Sequence, residues 1–165
     1  MKKFAFLVIM VMSLAFAAAA QTRQPSVAIR PFVVKTKQSI NELEKKLSTD
    51  NKVEDLIGGP GMETRVAIQH DKNRVGADAE LHDNSDDVYY VLKGKATLVL
   101  GGKLAEPREA TPGEWKSKTI VGGQTIEVKE GDLIVVPRGT PHQRTVTGKG
   151  FSMILIKVFE DPLPS

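Results

Sequence analysis

From Thr64 onward the chain is a succession of short β-prone runs separated by glycine-containing turns, a pattern that points to an all-β barrel or sandwich. The runs are Arg65–Gln69, Ala79–His82, Asp87–Leu92, Lys95–Leu100, Lys116–Val121, Gln124–Val128, Leu133–Val136, His142–Val146 and Phe151–Val158. Lys93-Gly94, Gly101-Gly102, Gly122-Gly123 and Gly131-Asp132 punctuate them. Between Lys103 and Trp115 the pattern predicts a loop holding Pro107 and Pro112, longer than a hairpin needs. It serves either as a surface excursion or as a lid. Trp115 reads as a lid residue or a plug at the barrel end.

The part before Thr64 differs. Gln21–Ser26 reads as a tether, and Val27–Val34 (VAIRPFVV) as an edge or terminal strand, because Pro31 cannot donate to a central ladder. Ser39-Ile40-Asn41-Glu42 has the form of a capping box, and Ile40, Leu43 and Leu47 share one face of the helix it would start. That helix should stop before Ser48–Asn51, and Gly58-Gly59-Pro60-Gly61 marks a loop. The expected division is a leader over 1–20, a strand-and-helix arm over 21–61, a barrel over 62–160 and a tail over 161–165.

The leader rests on Met1-Lys2-Lys3, an uncharged apolar run from Phe4, and the small-residue finish Ala18-Ala19-Ala20. This is the form of a secretory signal peptide cleaved before Gln21, and it implies a periplasmic or secreted location in a bacterial cell. The alternative is a retained anchor, for which the run stands at the short edge of spanning length. Cleavage removes Lys2 and Lys3, so 21 basic residues face 20 acidic ones in the remaining 145. The formal charge of +3 therefore falls to +1, and only six aromatic residues remain. Nucleic-acid binding is disfavoured on both counts. With no cysteine, disulfides and thiolate metal sites are excluded, and any metal must be held by histidine and carboxylate.

Three histidines are present: His70, His82 and His142. His70 lies in the charged run His70-Asp71-Lys72-Asn73-Arg74 and reads as a surface residue. Glu80 and His82, two apart, share a strand face, as do Asp87, Tyr89 and Val91 on the next run. Further on, Gly131–His142 (GDLIVVPRGTPH) is a strand closed by a Pro-x-Gly turn that sets His142 at the start of another strand. Two imidazoles and two carboxylates on rigid strands can converge on one divalent cation.

These two stretches resemble the paired motifs of the cupin superfamily. The second, G-x5-P-x-G-x2-H-x3-N, is matched at Gly131, Pro137, Gly139 and His142, with Val146 where the asparagine would stand. The first, H-x-H-x(3,4)-E-x6-G, is matched in spacing, with Glu80 at the first histidine, His82 at the second, Asp87 at the glutamate, and Gly94 closing it. A second register starts from Gly76, makes His82 the first histidine and puts Asn84 at the second. It leaves too short a gap to Asp87.

The resemblance implies a cupin-type double-stranded β-helix (jelly-roll) barrel with one short N-terminal helix. It also implies Glu80, His82, Asp87 and His142 as metal ligands, for Mn, Fe, Ni or Zn. The carboxylate at position 80 shifts preference toward oxygen-loving ions. Glu80, His82 and His142 become the catalytic candidates, with Tyr89 turned inward to orient a ligand. The function implied is an exported metal-dependent enzyme acting on a small molecule by dioxygenase, isomerase, decarboxylase or lyase chemistry. A non-catalytic small-ligand-binding barrel is the alternative. Cupins of this kind often pair through an N-terminal strand, which makes a homodimer the expected state. A structural role stays open for each residue: Glu80 paired with Lys93 or Lys95, the two histidines as hydrogen-bonded barrel residues, Asp87 as a turn residue and Tyr89 as core filling.

Overall fold

Period-two alternation organises most of this chain, because successive side chains on a strand point to opposite sheet faces. The computed structural model describes residues 24–148 and 150–163, so the leader read at 1–20 lies outside the described residues. In chain order the elements are α1 (Lys37–Leu47), β1 (Lys52–Ile57), β2 (Thr64–Asp71), β3 (Ala79–His82), β4 (Ser85–Lys93), β5 (Lys95–Leu100), β6 (Lys103–Ala105), β7 (Arg108–Thr111), β8 (Glu114–Ser117), β9 (Thr119–Val121), β10 (Gln124–Lys129), β11 (Leu133–Val136), β12 (His142–Thr145) and β13 (Phe151–Phe159).

The strands form a five-stranded sheet in the order β1-β2-β13-β4-β11, a six-stranded sheet in the order β10-β5-β12-β3-β8-β7, and a two-stranded ribbon of β6 and β9. β4 shows the rule: Ser85, Asp87, Tyr89 and Val91 are buried, while the residues between them are not. Tyr89, Val91, Leu98, Val146, Phe151 and Met153, drawn from both large sheets and the strand ends beside them, belong to one buried core. Val146, at the position of the motif's asparagine, is fully buried there, where an unpartnered amide would be costly.

Residues 1–32 and 33–165 form separate units. Within the described part of the first, 24–32, there is no strand, and Val27, Ile29 and Phe32 are exposed. Val33 and Val34 are exposed and non-strand as well. The expected strand over Val27–Val34 is therefore not formed among the described residues.

Further differences have local causes. The helix begins at Lys37 because Thr36, extended at ψ 160°, accepts a hydrogen bond from the Ser39 amide through its Oγ (3.2 Å). Thr36 is the cap that Ser39 was expected to be. The helix ends at Leu47 as the polar run required. Lys103–Trp115 is not an open loop, since it carries β6, β7 and the first residues of β8. The expected strand Lys116–Val121 is two strands, β8 and β9, divided where Ser117 Oγ bonds the carbonyls of Ala105 and Thr119. β1 has no counterpart among the expected strands, yet pairs along β2 at the sheet edge. His70 is 5% exposed rather than on the surface, because β2 runs on through Asp71. Its Nδ1 lies 2.9 Å from Ser152 Oγ, and Ser152 in turn donates to Glu44 of α1.

Candidate metal and ligand site

The site begins with register. β12 pairs with β3 so that His142 faces Glu80 directly, and β3 pairs with β8 so that Glu80 faces Lys116 and His82 faces Glu114. Residues opposite each other in an antiparallel pair share a face, and so do residues two apart. Glu80, His82, Glu114, Lys116, His142 and Arg144 therefore all lie on one face of the six-stranded sheet. From the other large sheet, β4 and β13 pair Asp87 with Lys157 and Tyr89 with Leu155. A cavity of about 270 Å³ has both groups in its lining, among them Glu80, His82, Asp87, Tyr89, Glu114, Arg144 and Lys157.

The turn before His142 sets that residue's position. Thr140 donates its amide to the Pro137 carbonyl, and Gly139 between them has φ +74°, which glycine adopts without strain. The Gly139 amide donates to the His82 carbonyl at 2.7 Å, and the Arg138 amide to Asp86 at 2.8 Å. The His142 end of the motif is thus tied to the His82 strand.

Donor atoms of Glu80, His82 and His142 lie within 4.8 Å of one another. His142 Nδ1 sits 3.0 Å from the Thr140 carbonyl, an arrangement in which Nδ1–H donates and Nε2 keeps its lone pair. That Nε2 is buried without a hydrogen-bond partner, 3.9 Å from Asp87 Oδ2 and 4.0 Å from Glu80 Oε2. His82 Nδ1 is 2.5 Å from Glu114 Oε2, and its Nε2 is 3.5 Å from Asp87 Oδ2. Asp87 stands slightly apart: Lys157 holds Oδ1 at 2.8 Å, and the Tyr89 hydroxyl donates to Oδ2 at 3.0 Å. Glu80 accepts from Lys116 at 2.8 Å, not from Lys93 or Lys95. Tyr89 points inward beside Asp87, and the rings of His82 and His142 lie 5.0 Å apart.

Burial and charge act against each other on these groups. Burial pushes the Glu80 carboxyl up, but the Lys116 ammonium holds it below its ordinary range. Burial likewise raises Asp87, and His82 with Lys157 overrides it, leaving the carboxyl well below the usual value. For His82, burial favours the neutral ring, yet Asp87 and Glu114 together raise its pKa. His142 goes the other way, lowered by burial. Tyr89 is raised well above its ordinary value, again by burial.

Glu114, Lys157 and Arg144 are site residues that the sequence reading did not single out. Arg144 and Lys157 carried a signal, being two and four residues along the alternation from His142 and Met153 on inward-facing strands. Glu114 carried none, since its segment shows no period. Trp115, beside it, is on the opposite face and donates from Nε1 to Asp83 at 2.7 Å. There it lines an outer groove with Leu81, Leu104 and Pro141, so it is neither lid nor plug of the cavity.

No protein-family model matches the chain, and no curated protein matches it. Solved structures do. Bacillus halodurans protein BH2720 is similar at 20% identity and TM-score 0.53 over 83% of this chain and 88% of that one. An uncharacterised conserved protein with a double-stranded β-helix domain from Klebsiella pneumoniae is similar at 15% identity and TM-score 0.51, over 75% and 90%. The fold is a double-stranded β-helix. A Schizosaccharomyces pombe Cnp3 cupin domain is more remote, at 15% identity and TM-score 0.46 over 66% and 64%. At these identities the likeness is one of fold, and the chemistry has to be argued from the side chains.

Proposed function

We propose that this chain is an exported, divalent-metal-dependent enzyme acting on a small molecule, with Glu80, His82 and His142 as ligands and Asp87 as the fourth candidate through Oδ2. One observation carries the reading: three donor groups stand within 4.8 Å of one another, and one of them, His142 Nε2, is buried without a hydrogen-bond partner. Two imidazoles and a carboxylate suit Mn, Fe, Ni or Zn, and the carboxylate favours the harder of these. Bound there, such an ion supplies Lewis acidity or O₂ activation. The contacts of His82 with Glu114 and of His142 with Thr140 fix both rings with Nε2 toward the Asp87 carboxylate. In the absence of a metal, His82 or His142 with Glu80 would serve as general acid and base toward a bound substrate. Dioxygenation, isomerisation, decarboxylation and lyase chemistry are all compatible with this set.

Metal analysis tests it. Purified wild type should hold close to one equivalent of metal, lost in both His82→Ala and His142→Ala. A folded wild type that carries no metal after growth in metal-supplemented medium overturns the reading.

A second reading, a barrel that holds a small ligand without turning it over, is favoured by a different observation. Asp87 is already satisfied by Lys157 and Tyr89, and His82 by Glu114 and Asp87, so much of the polar cluster is compensated internally. The leader supports a periplasmic or secreted location with no membrane attachment after cleavage. Among the described residues no helix is long and apolar enough to cross a membrane. The near-even charge supports the absence of a nucleic-acid partner, and the exposed Val27–Val34 segment supports a homodimer.

A further inference from the structure

We infer that the ligand of this cavity is a small carboxylate, held at its anionic end by Arg144 and Arg74. The inference rests on the reading of the cavity as a small-molecule site and adds the class of molecule. Most of the charged groups lining the cavity have their own counter-charge. Arg65 is matched by Asp55 at 2.7 Å, Lys157 by Asp87 at 2.8 Å, and Glu80 by Lys116 at 2.8 Å. Glu114 lies 2.5 Å from His82 Nδ1 and is engaged there. Arg144 and Arg74 differ, because both turn to the same carboxylate. Asp71, 1% exposed, meets Arg144 Nε at 2.7 Å and Arg74 Nη1 at 3.8 Å, and also accepts from the Gln69 amide. Two guanidiniums thus share one buried acid, Arg144 at hydrogen-bond distance and the half-buried Arg74 farther off. Cations that share a counter-charge beside a cavity are only partly compensated there, and an anion in the cavity completes the pairing.

The hydrogen-bonding groups point the same way. Arg74 Nε is buried and has no acceptor. Among the described residues Arg144 has a protein acceptor only at Nε, while its guanidinium carbon sits 5.7 Å over the Tyr89 ring. Its side chain is 9% exposed, and packing against Tyr89 and Phe151 holds the planar group in one pose. A guanidinium fixed in this way, with free N–H groups, is suited to a carboxylate, which it can take through two parallel hydrogen bonds.

Arg144 and His142 are two apart on β12 and share its inward face, which separates them by roughly 7 Å along the strand. A molecule whose carboxylate meets Arg144 therefore presents its next few atoms toward Glu80, His82 and Asp87, which line the same cavity. The cavity of about 270 Å³ limits the whole ligand to roughly ten heavy atoms. Tyr89, Met153 and Leu155 supply apolar wall for a short carbon chain. The class is a short carboxylic acid with a few carbons beyond its acid group.

Calorimetric titration of the purified, metal-free protein with acetate, glycolate and succinate, each paired with its uncharged amide, tests this. At least one acid should bind, with its amide tenfold or more weaker. Arg144→Gln should weaken that acid roughly 10- to 100-fold, and Arg144→Lys, which keeps a charge for Asp71, should fall between. Arg74→Gln leaves the Arg144–Asp71 pair intact, so it gives the test a second variant if Arg144→Gln fails to fold. Equal binding of acid and amide overturns the inference, as does no acid binding up to about 10 mM, or unchanged binding in folded Arg144 and Arg74 variants. Metal content is read on each protein as purified, before the metal is stripped, and the titration is repeated with metal restored. Acid binding that depends on Arg144 in a protein that never takes up metal sinks the metal reading alone. Acid binding that needs metal and His142 but not Arg144 sinks this inference alone.

Discussion

At the residue scale the decisive arrangement is the carboxylate of Asp87, buried between His82, Tyr89 and Lys157. Removing Lys157 as Met leaves that carboxylate without its only lysine partner, a loss of roughly 3 kcal/mol for a buried pair broken from one side. Chemical denaturation of Lys157→Met against wild type measures it, and a loss below about 1 kcal/mol would show the pair to be solvated. The pH dependence follows from the same groups. Asp87 and Glu80 are held below their ordinary range, so the stability they give is present above the unfolded carboxylate value and drains away as pH falls through the folded one. Denaturant midpoints should drop below about pH 4, and Asp87→Asn should flatten that acid limb. His82 has the opposite sign: its pKa is raised, so its stabilising contribution is complete at low pH and lost as pH rises through the folded value. Because an ion must displace that proton, apparent metal affinity should rise with pH across neutrality with proton release. Calorimetry in buffers of different ionisation enthalpy checks it. Pairing of Glu80 with Lys116 and of Asp87 with Lys157 has the same root, since buried carboxylates recruit the nearest cation.

At the scale of elements, turns and registers decide the outcome. Gly94 and Gly139 both have positive φ, but their surroundings differ. A Cβ at Gly139 meets nothing within 4 Å, whereas one at Gly94 would lie 2.3 Å from the Gly150 carbonyl oxygen. Gly139→Ala should therefore cost only the left-handed backbone penalty, about 1–2 kcal/mol. Gly94→Ala should cost clearly more, because backbone must move, and thermal melts of the two side by side compare them. The periodic strands were legible in the sequence: Ala79–His82, Lys95–Leu100 and Leu133–Val136 have the bounds read from alternation and glycine. So was the inward direction of Asp87 and Tyr89. What escaped was non-local. β1, β6 and β7 have weak period and exist because a neighbouring strand supplies their hydrogen bonds. His70 looked like a turn residue from its charged neighbours, and only pairing with Ser152 buries it. Glu114 becomes a partner of His82 through the β3–β8 register, which no spacing in the chain encodes.

At the scale of the whole molecule, two groups of exposed apolar side chains stand out among the described residues, beside the scattered Val53, Val75, Val121 and Val158. Val27, Ile29, Phe32, Val33 and Val34 make up the first, and Tyr90, Leu133 and Val135 on β4 and the edge strand β11 make up the second. Apolar arms and unpaired edges are where chains associate. The proposed homodimer should appear as twice the chain mass in light scattering, and deletion of residues 21–34 should shift it to monomer with the barrel still folded by circular dichroism. A monomeric full-length protein at the concentrations used for metal analysis would count against the dimer.

β13, the last strand, lies in the middle of its sheet, between β2 and β4. Neither neighbour can complete its ladder until residues 151–159 have been made. Pairing across such sequence separations is slow, because loop closure must precede any gain from contact. As the chain emerges from the ribosome this sheet therefore stays open until β13 has been made. If the proposed export holds, that delay has a use: an unfolded polypeptide is what a secretion channel can thread.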